Sequence, residues 1–270
     1  MNVELVAYGD FELFNFEFKI RQFLIAGEAE NNSKLKIQNS KLKIQIMQIN
    51  PIAYFHSPFA TKFGVPKQSG LVENLEGTIE FVPQYRNADA LRGIEAFDYL
   101  WLVWEFSANS HAAVSPVVRP PLLGGNTRMG VFATRSPFRP NRIGLSSVRL
   151  SHVEYNASNG PLIHVLGADL MDGTPIYDIK PYVVYADSHP DARSGFVDTH
   201  AIQRLQVDIP QPLATRFTSA QLQALRGVLS LDPRPHYHND PDKLYGMSYA
   251  GRDVRFKVSA DGVLTVVDVE

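Results

Sequence analysis

The strongest constraint on the fold is a run of short β-strand patterns that begins at Ile49 and ends near Tyr185. Apolar or alternating segments recur through this run, and loops that contain Gly and Pro separate them. Helical periodicity is scarce there, with a single turn predicted at Ala88–Leu91. Many strands with few helices predict a mainly β fold, either a barrel or a strongly curved sheet. The predicted strands are Ile52–Phe55, Gly77–Val82, Leu100–Phe106, Gly130–Thr134, Ser146–Tyr155, Leu162–Leu170 and Ile176–Ile179.

One of these segments, Leu100–Phe106, has the sequence LWLVWEF and is apolar almost throughout. An apolar run of strand length without alternation is typical of a strand that is covered on both faces. We therefore predict a central strand that is buried on both sides.

Residues 188–270 have a different pattern and are predicted to form a small α+β domain. Ser219 is predicted to cap an amphipathic helix, because the apolar residues that follow it recur at helical spacing. The strand patterns Val254–Val258 and Val263–Val269 flank Asp261-Gly262, which is a strong hairpin signal.

Residues 1–46 differ from the rest of the chain, and we predict that they are a non-native or disordered extension. The heptapeptide NSKLKIQ occurs at Asn32–Gln38 and again, letter for letter, directly after it. So perfect a repeat is typical of a repeated DNA element read in frame, and it is too short for a solenoid. Met47 would then start the barrel-like domain, predicted at residues 47–187. A lineage-specific helical or disordered arm is the alternative.

Composition and motifs exclude several functional classes. The chain contains no cysteine, which excludes disulfides, thiolate zinc sites and a cysteine nucleophile. It has neither a G-x-G-x-x-G motif after a strand nor a P-loop, the two common nucleotide-binding devices. His236 and His238 lack evident further ligands, so no metal is predicted. With no apolar stretch of the ~18 residues that span a membrane and no basic start, we predict a cytoplasmic protein.

Positive charge is concentrated in one segment of a chain whose formal net charge is −2. The segment from Arg119 to Arg149 contains six arginines and no Lys, Asp or Glu. Prolines stiffen the loop within Met129–Ser146, which lowers the entropy lost when its arginines bind an anion. We predict a site for phosphate, carboxylate or sugar. Solvated arginines, or a loop held to its own fold by Arg–carboxylate pairs, are the alternatives.

Three aspartates cluster in Asp169–Tyr182, which has the sequence DLMDGTPIYDIKPY. A plain β-turn at Asp172-Gly173 is one interpretation of this segment. The other is a binding site, because carboxylates can bind a ribose hydroxyl pair or the ammonium of an amino acid, and one can act as a general base.

Four motifs together resemble the TrmO family, also called YaeB or TsaA, and a fifth resembles the second domain of its bacterial members. The resemblance implies a homodimer whose β-barrel, neither a Rossmann fold nor knotted, binds S-adenosylmethionine near the subunit interface. It also implies methylation of N6 of threonylcarbamoyladenosine, next to the anticodon of threonine tRNA. The motifs are GVPKQSGL (Gly64–Leu71), LRGIEAFDYLWLVWEF (Leu91–Phe106), RPPLLGGNTRMGVFATRSPFRPNRIGLS (Arg119–Ser146), DLMDGTPIYDIKPY (Asp169–Tyr182) and DPRPHYHNDPDKLYGM (Asp232–Met247).

The resemblance implies a set of cofactor-binding residues in several parts of the chain. Our hypothesis for their roles is that Phe106 and Leu145 pack on the adenine and that Arg135 pairs with the methionine carboxylate. Asp169 or Asp172 would bind the ribose hydroxyls or the ammonium. The implied set is Pro66, Lys67, Gln68, Phe106, Ser107, Arg135, Leu145, Asp169, Leu170, Met171 and Asp172.

The tRNA contacts are predicted from basic and aromatic residue types. Asp172 and Asp178 are candidate general bases, although solvent can also accept the proton. The lack of cysteine fits a nitrogen acceptor, because methylation of a pyrimidine carbon usually requires a cysteine adduct. The predicted contacts are Arg119, Arg139, Arg142 and Lys180 to phosphates and Tyr182 to a base.

Two other functions fit the same sequence features. One is a non-catalytic barrel that binds RNA or another ligand. The other is a methyltransferase that has the same cofactor site but acts on a small molecule or another RNA. The C-terminal domain favours tRNA, because a small-molecule enzyme has no evident need for it.

Overall fold

The computed structural model describes residues 48–109, 115–200, 202–235 and 240–270. Within these residues, six strands form a closed barrel in the order β1-β2-β7-β6-β3-β8, and every neighbouring pair is antiparallel. The predicted mainly β, barrel-like fold is therefore confirmed. The barrel strands are β1 (Ala53–His56), β2 (Glu76–Phe81), β3 (Tyr99–Glu105), β6 (Ile143–Glu154), β7 (Leu162–Leu166) and β8 (Thr174–Pro181), while β4 (Val117–Val118) pairs with β5 (Met129–Gly130) in a separate ribbon.

Strand alternation builds the barrel core, because successive side chains of a strand point to opposite faces. The inward side chains are fully buried: Phe55, Ile79, Leu100, Leu102, Ile163 and Ile176 are each at most 1% exposed.

The prediction that Leu100–Phe106 is buried on both faces is wrong. In β3, Leu100 and Leu102 point into the core, whereas Trp101 and Val103 on the outer face are only half-buried. The closed barrel has a single inner face, so a strand in it is covered on one side unless another layer packs outside.

Two predicted strands end earlier than their sequence patterns suggest. Gly130–Thr134 is not a continuous strand, because β5 ends at Gly130 and a 3₁₀ turn follows at Val131–Ala133. The pattern Leu162–Leu170 forms a strand only as far as Leu166. There Gly167 adopts a left-handed conformation (φ 77°), which bends the chain out of the ladder.

The described part of the C-terminal region contains a small sheet with helices, as predicted. The predicted hairpin is confirmed as β11 and β12, but the cap of the longest helix is Thr218 and not Ser219. The Thr218 hydroxyl accepts a hydrogen bond from the Gln221 backbone amide, and the Thr218 backbone amide donates to the Gln221 side-chain oxygen, which forms a capping box. The elements are α1 (Val184–Asp187), β9 (Gln206–Asp208), α2 (Gln211–Ala214), α3 (Ser219–Ser230), β10 (Tyr245–Tyr249), β11 (Arg252–Val258) and β12 (Val263–Val269), with sheet order β10-β11-β12-β9.

Short 3₁₀ turns connect the strands, and the turn predicted at Ala88–Leu91 is confirmed as one of them. The remaining 3₁₀ turns are Pro83–Tyr85, Ile94–Ala96, Pro121–Leu123 and Gly195–Thr199.

The strand directions place three connections at one end of the barrel. β1, β3 and β7 end there, and β2, β6 and β8 begin there. We call residues 57–75 the first connection, 106–142 the second and 167–173 the third. The motif Gly64–Leu71 lies within the first connection, and the motifs Arg119–Ser146 and Asp169–Tyr182 begin in the second and third connections and continue into β6 and β8. The barrel therefore brings segments far apart in sequence to one place.

Several sequence predictions fall on parts of the chain that the structure does not describe. The extension predicted at residues 1–46 and the residues His236 and His238 lie outside the described residues. Among the described residues, no helix is long and apolar enough to cross a membrane.

Gly144 on β6 is a sensitive packing position. A Cβ atom at this residue would lie 2.3 Å from the ring of Trp104 on the paired strand β3. We expect Gly144→Ala to lower the free energy of unfolding by about 1–3 kcal/mol, because overpacking forces the ring and the strand apart. Urea denaturation would measure the change.

The matched control is Gly130→Ala. Gly130 has a negative φ of −58° and open space where a Cβ would be built. It should therefore tolerate alanine, and equal stability of the two variants would contradict the proposed packing constraint.

Candidate functional site

Glycines join the first and third connections at the loop end of the barrel. The Gly70 amide donates to the Gly167 carbonyl, and the Gly167 amide donates to the Leu75 carbonyl, both at 2.8 Å. Both glycines have positive φ, of 80° and 77°, which side-chain-bearing residues adopt at a cost. These contacts hold the segment around Gln68 next to the segment that contains Asp169.

The second connection contributes Arg135 to the same place. Its Nη1 donates to Oε1 of Gln68 at 2.6 Å, and the Gln68 side-chain nitrogen in turn donates to the Lys67 carbonyl at 2.6 Å. The positive charge of Arg135 also acts on the carboxylate of Asp169. One residue from each of the three connections therefore meets at this point.

Asp169 is a partly buried carboxylate with several donors around it. Its Oδ1 accepts from the hydroxyl of buried Ser146 at 2.6 Å, and that hydroxyl accepts from the indole N–H of Trp104 at 3.0 Å. Burial raises the pKa of Asp169 above its ordinary value, while the Ser146 hydroxyl, the backbone amide of Ser69 and the charge of Arg135 act in the opposite direction. The protein thus removes a carboxylate from water and partly compensates for this with hydrogen bonds.

Asp172 has different partners from Asp169, although both lie in the third connection. Its Oδ1 accepts from the Ser57 amide at 3.0 Å and lies 3.5 Å from Nδ1 of His56. The other ring nitrogen of His56 lies 3.0 Å from Glu80, which also pairs with Arg86 at 2.9 Å. Asp172 therefore ties the third connection to the end of β1, beside a cleft of about 380 Å³.

Asp178 lies within β8 and is not part of either arrangement. Its Oδ2 is 2.7 Å from the Lys180 ammonium, and its Oδ1 accepts from the Ile179 amide at 3.0 Å. The three aspartates that are close in sequence therefore face three different sets of partners.

The remaining residues of the implied cofactor set lie around the loop end. Phe106 packs on Trp104, with ring centroids 4.4 Å apart, and Ser107 follows it on the exposed start of the second connection. Leu145 is 56% exposed on the outer face of β6, whereas Pro66 and Leu170 are buried. Met171 contributes a carbonyl that accepts from the Thr174 hydroxyl at 2.7 Å.

The five predicted tRNA contacts are not brought together. Arg119 is exposed beside β4, while Arg139 donates to the Thr134 carbonyl at 3.2 Å. Lys180 and Tyr182 lie at and beyond the far end of β8, which is roughly 20 Å from the loop end at about 3.3 Å per residue.

Arg142 and Tyr182 are already engaged by neighbouring side chains. Arg142 is 2.8 Å from Glu105 and donates to the Asn109 carbonyl at 2.7 Å. Tyr182 packs against Trp101 and Tyr99, with centroids 5.7 and 6.2 Å away. Such pairing also fits the alternative in which the arginine loop is held to its own fold, so the tRNA contacts stay predictions.

The sequence analysis did not predict the residues that hold the Asp169 carboxylate by hydrogen bonds. Ser146 and Trp104 are on paired strands, β6 and β3, and both point into the barrel. One signal in the sequence could have revealed it: Ser146 is a polar residue at an inward position of an alternating strand. A polar group buried in this way requires a hydrogen-bond partner.

The arrangement at Arg135 and Asp169 matches the charges of an amino acid. The positive charge of Arg135 acts on the carboxylate of Asp169, and two such opposite charges complement the carboxylate and ammonium of a zwitterion. Leu145 and Phe106 lie at the same end of the barrel and are apolar side chains on which a flat ring can pack. The residues present therefore fit a ligand with an amino-acid end and an aromatic end. Among the described residues, no group of three or more His, Cys, Asp or Glu side chains could hold a metal ion.

Comparison with known proteins identifies two domain families in the chain. Residues 54–188 match the tRNA-methyltransferase O N-terminal domain, and residues 202–270 match the TrmO C-terminal domain. The chain is 39% identical over 224 residues to the tRNA (adenine(37)-N6)-methyltransferase of Escherichia coli K12, covering 80% of this chain and 94% of that protein.

Further relatives agree with this match. A Pseudomonas aeruginosa protein, provisionally named as the S-adenosylmethionine-dependent methyltransferase RcsF, is 36% identical over 82% of this chain and 96% of its own length. The crystal structure of TrmO from Pseudomonas aeruginosa superposes with a TM-score of 0.67 at 32% identity, covering 83% of this chain and 99% of that one.

The hydroxyl of Ser146 is expected to stabilise both the fold and the charged form of Asp169. Ser146→Ala leaves the buried Trp104 N–H without its acceptor, so we expect the free energy of unfolding at neutral pH to fall by about 1–3 kcal/mol. The matched control is Ser147→Ala on the opposite face of the same strand, which should have little effect.

The pH dependence gives a sharper test. Because the pKa of Asp169 is raised on folding, its contribution to stability is present at low pH and is lost as the pH rises through the folded pKa. Ser146→Ala should raise this pKa further, so its destabilisation should be larger at pH 7 than near about pH 3.5, where Asp is mostly protonated. Urea denaturation across this range would measure it, and a pH-independent effect would contradict the role assigned to Ser146.

Proposed function

The chain belongs to the TrmO family, and we propose from this that it transfers the methyl group of S-adenosylmethionine to N6 of threonylcarbamoyladenosine beside the anticodon of threonine tRNA. The observation that carries the proposal is the meeting of Gln68, Arg135 and Asp169 from three separate connections. Relatives of the chain are tRNA (adenine(37)-N6)-methyltransferases, which supports adenine 37 as the target nucleotide.

The bound cofactor supplies an electrophilic methyl group on a sulfonium. Arg135 is proposed to hold the methionine carboxylate and Asp169 the ammonium, because both come from the loop end of the barrel and the positive charge of Arg135 acts on the Asp169 carboxylate. Leu145 and Phe106 are proposed to pack on the adenine, and Pro66, Lys67 and Gln68 to border the cofactor from the first connection. Asp172 holds the third connection to β1, so its proposed contribution is the shape of the turn Asp169–Asp172.

The transfer itself is an in-line displacement, so alignment of donor and acceptor is the main requirement. The acceptor N6–H lies between a purine and a carbonyl, which makes it more acidic than an ordinary exocyclic amine. Asp172 and Asp178 stay candidate bases, although both already have cationic or hydrogen-bonding partners. Transfer of the proton to solvent is compatible with the same geometry.

We also propose that the enzyme is a cytoplasmic homodimer, as the family resemblance implies. The outer face of β6 supports a dimer, because Ile143 and Leu145, near the loop end of the barrel, are 44% and 56% exposed there. Apolar side chains grouped on one exposed sheet face are typical of protein interfaces. Since Leu145 is also in the cofactor set, the interface would border the cofactor site. The division into domains at residues 47–187 and 188–270 is kept as part of the proposal.

The reaction can be tested by nucleoside mass spectrometry of threonine tRNA. In a strain that lacks the gene, we expect threonylcarbamoyladenosine without one methyl group, and expression of residues 47–270 should restore that methyl group. Arg135→Ala, expressed at the same level, should restore much less, because the cofactor carboxylate would lose its partner. An unchanged nucleoside profile in the strain without the gene would refute the proposed substrate.

Arg119 gives a separate test of tRNA binding. Removing one phosphate contact reduces the slope of log K against log salt concentration by roughly 0.7–0.9. We expect this reduction for Arg119→Ala in filter-binding titrations with threonine tRNA. Arg92→Ala, at the opposite end of the barrel and paired with Asp89, is the matched control and should leave the slope unchanged. Equal slopes for wild type and Arg119→Ala would remove Arg119 from the interface.

A further inference from the structure

We propose that the C-terminal domain positions the first connection for cofactor binding, and that Arg204 is a positioning residue for this purpose. The proposal deepens the function proposed above and rests on it, because it concerns the same cofactor site.

The first connection is part of the C-terminal core. Phe59, Val72 and Leu75 are at most 4% exposed, and they belong to the same apolar cluster as residues of α3 and the C-terminal sheet. The ring of Phe59 packs on Tyr249 of β10, with centroids 5.4 Å apart. Burial of these side chains links the shape of the connection to the folded state of the C-terminal domain.

Two glycines show how closely the two parts approach each other. A Cβ atom on Gly64 would lie 2.1 Å from the sulfur of Met247, and one on Gly227 would lie 2.9 Å from Val72. At Gly64 there is therefore no room for a side chain beside Met247. The connection therefore lies directly against β10 and α3.

Hydrogen bonds to the backbone fix the connection near both of its ends. The Ala250 amide donates to the Pro58 carbonyl at 2.8 Å. The guanidinium of Arg204 donates to the Leu71 carbonyl at 2.9 Å and to the Ser230 hydroxyl of α3 at 3.0 Å. Arg204 thus bridges the C-terminal helix and the connection, just beyond the cofactor residues.

These contacts have a consequence for affinity. A connection of this length would be mobile if only its ends were fixed, and cofactor binding would then have to order it. Because the C-terminal domain orders residues 57–75 during folding, less entropy is lost when the cofactor binds. The C-terminal domain thereby raises cofactor affinity without contacting the cofactor.

The test is calorimetric titration of the full-length protein with S-adenosylhomocysteine. Arg204→Ala should raise the Kd about three- to tenfold, the usual effect of losing one polar contact that supports a site. Arg226→Ala is the matched control, because Arg226 is exposed on α3 and donates to the Val207 carbonyl within the C-terminal domain. This control should bind like wild type.

Steady-state kinetics separate positioning from a purely structural effect. The KM for S-adenosylmethionine should rise in Arg204→Ala, while kcat and the KM for tRNA stay near wild type, and Arg204→Lys should recover part of the affinity. Hydrogen exchange should become faster in residues 57–75 and stay unchanged in the barrel strands.

Each outcome decides between specific alternatives. An unchanged Kd for S-adenosylhomocysteine in Arg204→Ala would overturn the positioning role. So would a rise in the KM for tRNA alone, which would assign the C-terminal domain to tRNA. Failure of the wild-type protein to bind S-adenosylhomocysteine would instead refute the proposed function itself, so the two failures are distinguishable.

Discussion

The pairing of β1 with β8 is the contact on which the rest of the structure depends. It joins the first and last strands of the barrel, with Ala53 opposite Ile176 and Phe55 opposite Thr174. Closure satisfies the backbone groups that two free edge strands would expose. Together with the other five antiparallel pairings it alternates the strand directions, which places the first, second and third connections at the same end. It also brings the start of β8, where the third connection ends, next to the end of β1, where the first connection begins.

The partly buried carboxylate of Asp169 requires hydrogen-bond donors and positive charge at the loop end of the barrel. A carboxylate removed from water raises the free energy of the folded state unless donors surround it. Ser146 supplies one donor from inside the barrel, and Trp104 orients that hydroxyl by donating to it. Arg135 supplies positive charge from outside. The barrel core and the binding site therefore share residues, so a change in core packing near Trp104 would also alter the site.

The two cores of the protein meet at the first connection. One core fills the barrel, and the other combines α3, the C-terminal sheet and side chains of residues 57–75. The first connection lies within the barrel domain in sequence, but its side chains pack into the core of the C-terminal domain. This packing couples the stability of the two domains. This coupling is the physical basis for regarding the C-terminal domain as part of the proposed cofactor site, in addition to any contact it makes with tRNA.

The sequence by itself determined the strand pattern, the mainly β class, the C-terminal hairpin and the family, because these depend on local alternation, turn residues and contiguous motifs. It also identified Arg135, Gln68 and Asp169 through the family resemblance. Only the tertiary structure decided that Asp169, Asp172 and Asp178 face different partners, that Arg142 pairs with Glu105, and that Ser146 supports Asp169. It likewise ended the strand patterns early at Gly130 and Leu166. The reason is that most of these hydrogen bonds, ion pairs and buried contacts join residues far apart in the chain, and the strand pairing of the barrel together with the loop conformations sets which of them meet.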